Sequence, residues 1–245
     1  MIRVGFKSDR GQVKRSNQDA CFVMPKEQVY IVADGVGGEL AGERASYLAV
    51  ASIADSIKKR PIENIEEEDL SKYMKNLVEK ANKHIIERSL NDASLRGMAT
   101  TVVAAYIRND KAYLINAGDS RGYIYRDGTL VQITNDHSYV GELVRKGVMT
   151  SDEADNHPEN NIIKKALGAM ELVNPEFYSV ELNDEDIILL CTDGVFHELD
   201  HNQIRKIIKV NKDANKIAEE LIIEANHNGG RDNITVVCLK VDGGF

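Results

Sequence analysis

The sequence predicts an α+β fold in one domain. Helices and antiparallel strands come in separate runs along the chain, and this order favours an α+β fold over a doubly wound parallel sheet. The 245 residues have a hydrophobic content of 42%, which is enough for one well-buried core. No Pro/Ser-rich linker, internal repeat or low-complexity run divides them. We therefore predict a single domain over residues 1–245.

The first part of the chain alternates short strands with two long helices. Residues 2–8 predict a strand, because Val4 and Phe6 occupy alternating positions. Residues 20–24 and 29–33 are short apolar runs, which are strands more often than helices. A polar loop, residues 10–19, joins the first two strands. Helices are predicted over residues 39–58, where small apolar residues form a narrow stripe, and over residues 70–88, where one face stays apolar.

The middle of the chain predicts an antiparallel meander of four strands: residues 100–107, 111–116, 121–125 and 130–133. Asn109-Asp110 and Asp127-Gly128 are favoured turn pairs within it. Residues 134–170 are polar and short in their elements, so we expect a flap beside the core that influences substrate access. The last third predicts strands and helices again: strands at 178–182, 186–191 and 234–239, and helices at 204–208 and 214–225.

Composition limits the possible functions and locations. The net charge of −8 disfavours binding to nucleic acid or to an anionic membrane surface. Cys21, Cys191 and Cys238 each lie among apolar residues, which indicates buried free thiols in a reducing compartment. The N-terminus has no apolar signal region, and no run approaches the length of a membrane span. We therefore expect a cytoplasmic protein with no membrane insertion.

Four aspartates share one setting in this pattern. Asp34, Asp119 and Asp193 follow apolar strands, and Asp232 precedes one. For Asp34-Gly35 alone, a tight turn is the simpler interpretation, but the recurrence of the pattern favours a shared site. If these strand ends meet at one rim, four carboxylates converge there and repel each other. A bound divalent cation would remove that repulsion.

The residue types at this rim indicate which cation would bind. Oxygen ligands suit Mg²⁺ or Mn²⁺, whereas zinc normally takes His or Cys, and the six histidines do not cluster with the strand-end aspartates. Four acids predict two adjacent ions, which can share a bridging water and make it a nucleophile for attack on phosphorus. Arg15 would then bind the phosphate as a bidentate donor. Taken alone, Arg15 and Asp19 indicate only a solvated charge pair.

Seven motifs in order along nearly the whole chain resemble those of the metal-dependent serine/threonine protein phosphatases of the PPM (type 2C) family, in its compact bacterial form. The motifs are Arg15-Ser16-Asn17-Gln18-Asp19, Asp34-Gly35-Val36-Gly37-Gly38, Gly97-Met98-Ala99-Thr100-Thr101, Gly118-Asp119-Ser120-Arg121, Asp136-His137-Ser138, Thr192-Asp193-Gly194 and Arg231-Asp232-Asn233-Ile234-Thr235. The resemblance implies a four-layer α-β-β-α sandwich, in which helices flank two antiparallel sheets and the metals lie at one end.

The resemblance also implies roles for individual residues at two core ions. Asp34 would bridge both metals, and the carbonyl of Gly35 would bind the second. Asp193 and Asp232 would complete the first metal. Asp19 would act through metal-bound water, so the implied catalytic residues are Asp34, Asp193, Asp232 and Asp19.

Further roles lie around that core. Asp119 and Asp193 would hold a third, weaker ion near the flap. Arg15 would bind the substrate phosphate, and Asn233 would orient the ligands. The cofactors implied are therefore Mn²⁺ or Mg²⁺, with two core ions and a third.

Three positions depart from the family pattern. Val36 stands where many eukaryotic relatives have a His proposed as general acid, so metal-bound water is the obvious replacement. Gln18 replaces a Glu, which implies more water ligands on the second metal, and Ala99 replaces the usual Gly as a packing variation. We interpret His137 and His157 as helix-boundary residues, and Cys191 as a core thiol rather than a nucleophile.

The resemblance implies hydrolysis of phosphoserine and phosphothreonine in proteins, by direct attack of a water or hydroxide that bridges the two metals. The implied partners are phosphoproteins and a bacterial Ser/Thr kinase that the enzyme opposes, and we expect a monomer. A non-catalytic phosphoprotein-binding relative is one alternative, disfavoured because all four core acids are present. A two-metal nuclease is another, disfavoured by the acidic balance and the missing basic groove.

Overall fold

Two five-stranded antiparallel sheets form the centre of the computed structural model, which describes residues 1–155 and 157–243. The first sheet has the spatial order β1 (Ile2–Asp9), β12 (Ile234–Val241), β11 (Ile187–Cys191), β8 (Arg121–Arg126) and β9 (Thr129–Gln132). The second has the order β10 (Glu176–Glu181), β7 (Lys111–Ala117), β6 (Val102–Arg108), β3 (Val29–Ala33) and β2 (Ala20–Met24). The predicted domain also covers residues 244–245, and the predicted flap covers position 156, which lie outside the described residues.

The central strands are buried on both faces, which explains their unbroken apolar sequences. On β3, Tyr30 and Val32 pack between the two sheets, whereas Ile31 packs under helices on the outer face. On β12, Val237 packs between the sheets and Val236 packs under the opposite helices. Successive side chains point to opposite faces of a strand, so a strand covered on both sides needs apolar residues at every position.

Helices cover the outer face of each sheet. On the second sheet lie α1 (Glu39–Lys59) and α2 (Leu70–Asn91), and on the first lie α5 (Asp193–Phe196), α6 (His201–Val210) and α7 (Ala214–His227). Single 3₁₀ turns occupy Ile62–Asn64, Glu67–Asp69 and Ala93–Leu95. The small buried side chains of Ala45 and Ala49 allow α1 to pack closely. The predicted four-layer α-β-β-α sandwich is confirmed.

The predicted four-stranded meander is wrong. Its first two strands, β6 and β7, lie in the second sheet, and its last two, β8 and β9, lie in the first. The chain crosses between the sheets at Gly118, whose φ of +114° turns the backbone away, and a Cβ there would lie 2.5 Å from the Cβ of Thr101. Local turn residues look alike at a hairpin and at a crossover, because only the packing of the two sheets distinguishes them.

The segment between β9 and β10 carries the predicted flap. It contains two short helices, α3 (Tyr139–Arg145) and α4 (Ser151–Asp155). At α4, the hydroxyl of Thr150 accepts from the amide of Glu153 at 3.3 Å, and Glu153 Oε2 accepts from the amide of Thr150 at 2.7 Å. This reciprocal pair is a capping box at the start of α4.

The glycine-rich turn after β3 is more regular than the sequence predicts. Gly35–Val36 forms a two-residue strand, β4, which pairs with β5 (Ala99–Thr100).

Within the described ranges, no helix combines the length and the apolar character needed to cross a bilayer.

Candidate metal centre

The predicted acidic residues lie where strands end at one edge of the sandwich. Asp19 immediately precedes β2 and Asp34 immediately follows β3, and these two strands pair through Ala20 and Ala33. Asp193 begins α5 just beyond β11, and Asp232 precedes β12, the strand that pairs with β11. Asp119 lies in the crossover between β7 and β8. The stacking of the two sheets brings all five side chains to one place.

The pKa values of these carboxyl groups report their proximity. Burial raises the pKa of Asp34 well above its ordinary value, and repulsion from Asp193, Asp19, Asp119 and Asp232 raises it further. Burial and repulsion from Asp193 likewise raise the pKa of Asp119 well above its ordinary value. The pKa of Asp193 is raised by burial first. The cluster therefore resists carrying all its negative charges at once.

Asp19 is held in place by the hydroxyl groups of Thr192, which directly follows β11, and of Thr235, which lies in β12 of the same sheet. Thr192 Oγ1 donates to Asp19 Oδ2 at 2.8 Å, and Thr192 Oγ1 in turn accepts from the amide of Thr235 at 3.0 Å. Burial raises the pKa of Asp19 to about 7, although hydrogen bonds from Thr235 and Thr192 oppose the rise. The carboxylate is thus fixed by one oxygen, and its other oxygen points elsewhere.

Three carboxylate oxygens in this cluster are buried and have no hydrogen-bond donor. They are Oδ1 of Asp19, Oδ1 of Asp119 and Oδ1 of Asp193. Buried polar atoms without partners are rare and normally indicate a missing water or ion. Among the described residues, no group of three or more His, Cys, Asp or Glu side chains is already arranged to hold a metal ion. The orphaned hard oxygens nevertheless have the chemistry of a Mg²⁺ or Mn²⁺ site.

The backbone of Asp34 is fixed by the two threonines before β6. The amide of Asp34 donates to Thr101 Oγ1 at 3.0 Å, and its carbonyl accepts from the amide of Thr101 at 2.9 Å and from Thr100 Oγ1 at 2.8 Å. At Gly35, a Cβ would lie 2.2 Å from the carbonyl oxygen of Gly42. No other residue fits there without moving α1, which explains the glycine after Asp34.

Asn233 ties the loop of residues 10–19 to the start of β12. Its Oδ1 accepts from the amide of Gln18 at 2.8 Å, and its Nδ2 donates to the carbonyls of Arg10 at 2.8 Å and Ser16 at 2.9 Å. Asp232 Oδ1 accepts from the amide of Asn233 at 2.7 Å. These bonds fix both the loop and Asp232, which supports the positioning role predicted for Asn233.

Lys14 is a residue of the site that sequence reasoning missed. Its Nζ lies 2.6 Å from Asp232 Oδ1, and its side chain is 41% exposed. Burial lowers the pKa of Lys14, but the hydrogen bond to Asp232 and attraction to Asp193 and Asp34 outweigh that effect and raise it. The one indication in the sequence was that Lys14 lies in the same polar loop as Arg15, which was already predicted to bind the phosphate.

Arg15 does not reach the cluster in this structure. Its side chain is exposed, and within residues 1–155 and 157–243 it makes no hydrogen bond and no ion pair. Its guanidinium group is therefore free to bind an external anion.

Val36, which stands where many eukaryotic relatives have a His, is 42% exposed beside the cluster.

His137 and Cys191 have structural contacts. His137 Nδ1 accepts from the amide of Gly118 at 3.1 Å, and Nε2 lies 3.0 Å from Glu176 Oε1. Burial lowers the pKa of His137, which keeps the ring neutral and suited to hold the crossover before Asp119. Burial raises the pKa of Cys191 to about 12, so this thiol is a core group.

Comparisons with known proteins show the family of this chain. The family model "Protein phosphatase 2C" matches residues 9–223. The serine/threonine phosphatase stp of Listeria monocytogenes serotype 4b is 35% identical over 97% of this chain and 95% of the Listeria protein. The crystal structure of Stp1 from Staphylococcus aureus has a TM-score of 0.92 and 30% identity, covering 99% of this chain and 96% of that one. The catalytic domain of PstP, solved with two manganese ions, has a TM-score of 0.86 and 33% identity, covering 99% of both chains. On this basis the chain belongs to the protein phosphatase 2C family.

Proposed function

We propose that this chain hydrolyses phosphoserine and phosphothreonine side chains of proteins at the aspartate cluster. Membership of its family makes it a metal-dependent phosphoprotein phosphatase. One observation supports placing the reaction at this cluster: one carboxylate oxygen each of Asp19, Asp119 and Asp193 is buried and has no hydrogen-bond donor. A cluster of this kind is costly to a fold unless cations offset its charge.

The residues present fit two core divalent ions and a weaker third. We propose that Asp34 would hold both core ions, that the Gly35 carbonyl would bind the second ion, and that Asp193 and Asp232 would complete the first. Asp119 would hold the third ion together with Asp193. Ions bound there would supply Lewis-acid polarisation of the phosphoryl group and a nucleophile at neutral pH.

The remaining groups bind and orient the substrate. Asp19, fixed by Thr192, acts through water at the edge of the cluster. Arg15 offers a free guanidinium that can bind two phosphate oxygens at once. Lys14 adds a second positive charge, which is already directed at Asp232. Asn233 keeps the loop that carries both bases in a fixed position.

Replacing Arg15 tests which of the two basic residues, Arg15 or Lys14, binds the phosphate. We expect Arg15→Ala to raise the KM for a phosphopeptide about fivefold, because a charge-assisted bidentate contact is lost. Arg15→Lys should rescue little, since an ammonium lacks the planar fork. Lys14→Ala is the matched variant from the same loop. If Arg15→Ala leaves kcat/KM unchanged and Lys14→Ala lowers it, the phosphate role belongs to Lys14.

The location and partners follow from the same proposal. All three cysteines lie among the described residues and are free thiols, which supports a reducing, cytoplasmic location. The net charge of −8 speaks against nucleic acid as substrate. We propose that the chain acts as a monomer and opposes a Ser/Thr kinase by removing the phosphates that the kinase adds.

A substrate panel tests the function directly. Phosphoserine and phosphothreonine peptides and single-stranded DNA should be incubated with the protein and Mn²⁺, with release of inorganic phosphate and of nucleotides measured separately. We expect the phosphopeptides to be hydrolysed and the DNA to stay intact, because the loop beside the cluster offers two basic residues, Lys14 and Arg15, and no basic groove. Faster cleavage of DNA would favour a nuclease, and binding of phosphopeptides without hydrolysis would favour a non-catalytic relative.

A further inference from the structure

A buried arginine connects the flap to the core beside the aspartate cluster. Arg121 is 8% exposed, and its guanidinium lies over the ring of Phe196, with the central carbon 3.5 Å from the ring centroid. Its Nε and Nη2 both donate to Asp136 Oδ2, at 2.9 and 2.7 Å. Its Nη1 donates to the hydroxyl of Tyr123 at 3.1 Å. These contacts fix the guanidinium independently of the flap helices.

The same guanidinium also contacts α4, one of the two short helices of the flap. Nη2 of Arg121 donates to Oδ1 of Asp155, the last residue of α4, at 2.7 Å. Asp155 is 30% exposed at its side chain and contributes this single charged contact, whereas Asp136 is 10% exposed and accepts from both Nε and Nη2. The Asp155 contact is therefore the one that can break while the arginine stays in place.

Little apolar packing holds the flap helices in position. Among the described side chains of α3 and α4, the buried apolar ones are Val140 and Ala154. A cavity of about 200 Å³ separates these helices from the sheet, with Arg121 and Asp136 on one side and Val144 and Ala154 on the other. With so few apolar contacts, a single ion pair to a fixed group has a large share in setting the position of α4.

The arginine also lies next to the residues of the cluster. It follows Asp119 by two positions at the start of β8, and Phe196, on which it stacks, lies in α5 with Asp193. The ion pair therefore fixes the position of α4 relative to Asp119 and Asp193, the two residues proposed to hold the third ion. A flap placed in this way would contact the protein chain on either side of a bound phosphoresidue, and it would not contact a small phosphoester.

We propose that the Arg121–Asp155 ion pair anchors α4 next to the Asp119 side of the cluster and so forms part of the binding surface for phosphoprotein substrates. Asp155 is then a positioning residue that acts through the flap. The proposal rests on the phosphatase function proposed above. It assigns recognition of the substrate's polypeptide, as distinct from its phosphate, to a contact made by this chain's own residues.

The test compares three flap variants in the full chain. Asp155→Ala removes the contact, Asp155→Asn keeps the shape without the charge, and Glu159→Ala is the matched control, because the exposed Glu159 side chain has no partner among the described residues. Steady-state kinetics are measured with a phosphothreonine peptide and with p-nitrophenyl phosphate. Hydrogen exchange of the α4 amides is measured in parallel.

We expect Asp155→Ala to raise the KM for the peptide about threefold or more, because an unanchored flap pays an ordering cost on binding. Its kcat for p-nitrophenyl phosphate should stay at the wild-type value, and its α4 amides should exchange faster. Asp155→Asn should lie between, and Glu159→Ala should match the wild type. Equal KM values for Asp155→Ala and Glu159→Ala would overturn the anchor. If the wild type hydrolyses neither substrate, the proposed function fails instead.

Discussion

Chelation of divalent ions should abolish phosphatase activity, and added Mn²⁺ or Mg²⁺ should restore it. The proposed ligands are carboxylate and carbonyl oxygens, which bind hard cations such as Mg²⁺ and Mn²⁺, and no other group can take the place of such a cation there. Three carboxylate oxygens of the cluster are buried without a hydrogen-bond donor, so a cation is the partner that this site lacks. The measurement is phosphopeptide hydrolysis after extensive stripping with EDTA, followed by titration with each ion. Full activity of stripped protein in excess EDTA would contradict the metal assignment.

The same treatment should change stability in a way that depends on pH. In the metal-free fold the pKa of Asp19 is raised from an ordinary 3.8 to about 7, so the folded state favours the neutral acid. The contribution of Asp19 to the free energy of unfolding is therefore complete at low pH and falls as the pH rises through about 7. Bound ions favour the ionised form and add about 2.7 kcal/mol at a hundred times their Kd. The difference in Tm between loaded and stripped protein should grow with pH, and a constant difference would contradict this account.

The parts of the fold predicted from sequence are those that short-range patterns determine. The strand over Val29–Ala33 could be predicted because both of its faces are covered and every residue is apolar. The four-layer order came from the family resemblance, and the structure confirms it. The meander failed at Gly118, because the choice between a hairpin and a crossover depends on how the sheets stack, which no local turn residue encodes.

The site shows the same division. Asp34, Asp119, Asp193 and Asp232 could be predicted because each adjoins a strand end, and strand ends meet at an edge. Lys14 was missed, because loop residues carry no period that says which of two adjacent bases points at the cluster. The contact between Arg121 and Asp155 joins residues 34 positions apart across the flap, and only the folded chain brings them together.

The crossover residue Asp119 should separate turnover from assembly of the core site. We expect Asp119→Asn to fold normally, to bind two ions tightly and to lose most of its kcat, about tenfold or more. Asp34, Asp193 and Asp232 can hold the first ion without it, and Asp34 with Gly35 reaches the second. The third ion would be lost, and with it the activation of a water as acid where Val36 offers no proton.

The substitution itself should be tolerated by the fold. Asp119 is 4% exposed, and burial together with repulsion from Asp193 and Asp136 raises its pKa, so the fold already disfavours its charge. A neutral amide of the same shape removes that repulsion, and the Tm of metal-free Asp119→Asn should be no lower than that of the metal-free wild type.

Asp34→Asn is the matched variant for this experiment, because it should lose the tight pair of ions itself. Metal stoichiometry by calorimetry and steady-state kinetics are measured for both variants and the wild type. If Asp119→Asn keeps the wild-type kcat at limiting metal, Asp119 serves only as a turn residue between β7 and β8. If Asp119→Asn fails to bind the tight pair, its carboxylate belongs to the core ions, and the third-ion role is wrong. The expected pattern is two tight ions with low turnover in Asp119→Asn and no tight pair in Asp34→Asn. It follows from the proposal that Asp34 holds both core ions, whereas Asp119 reaches the cluster from the crossover between the two sheets.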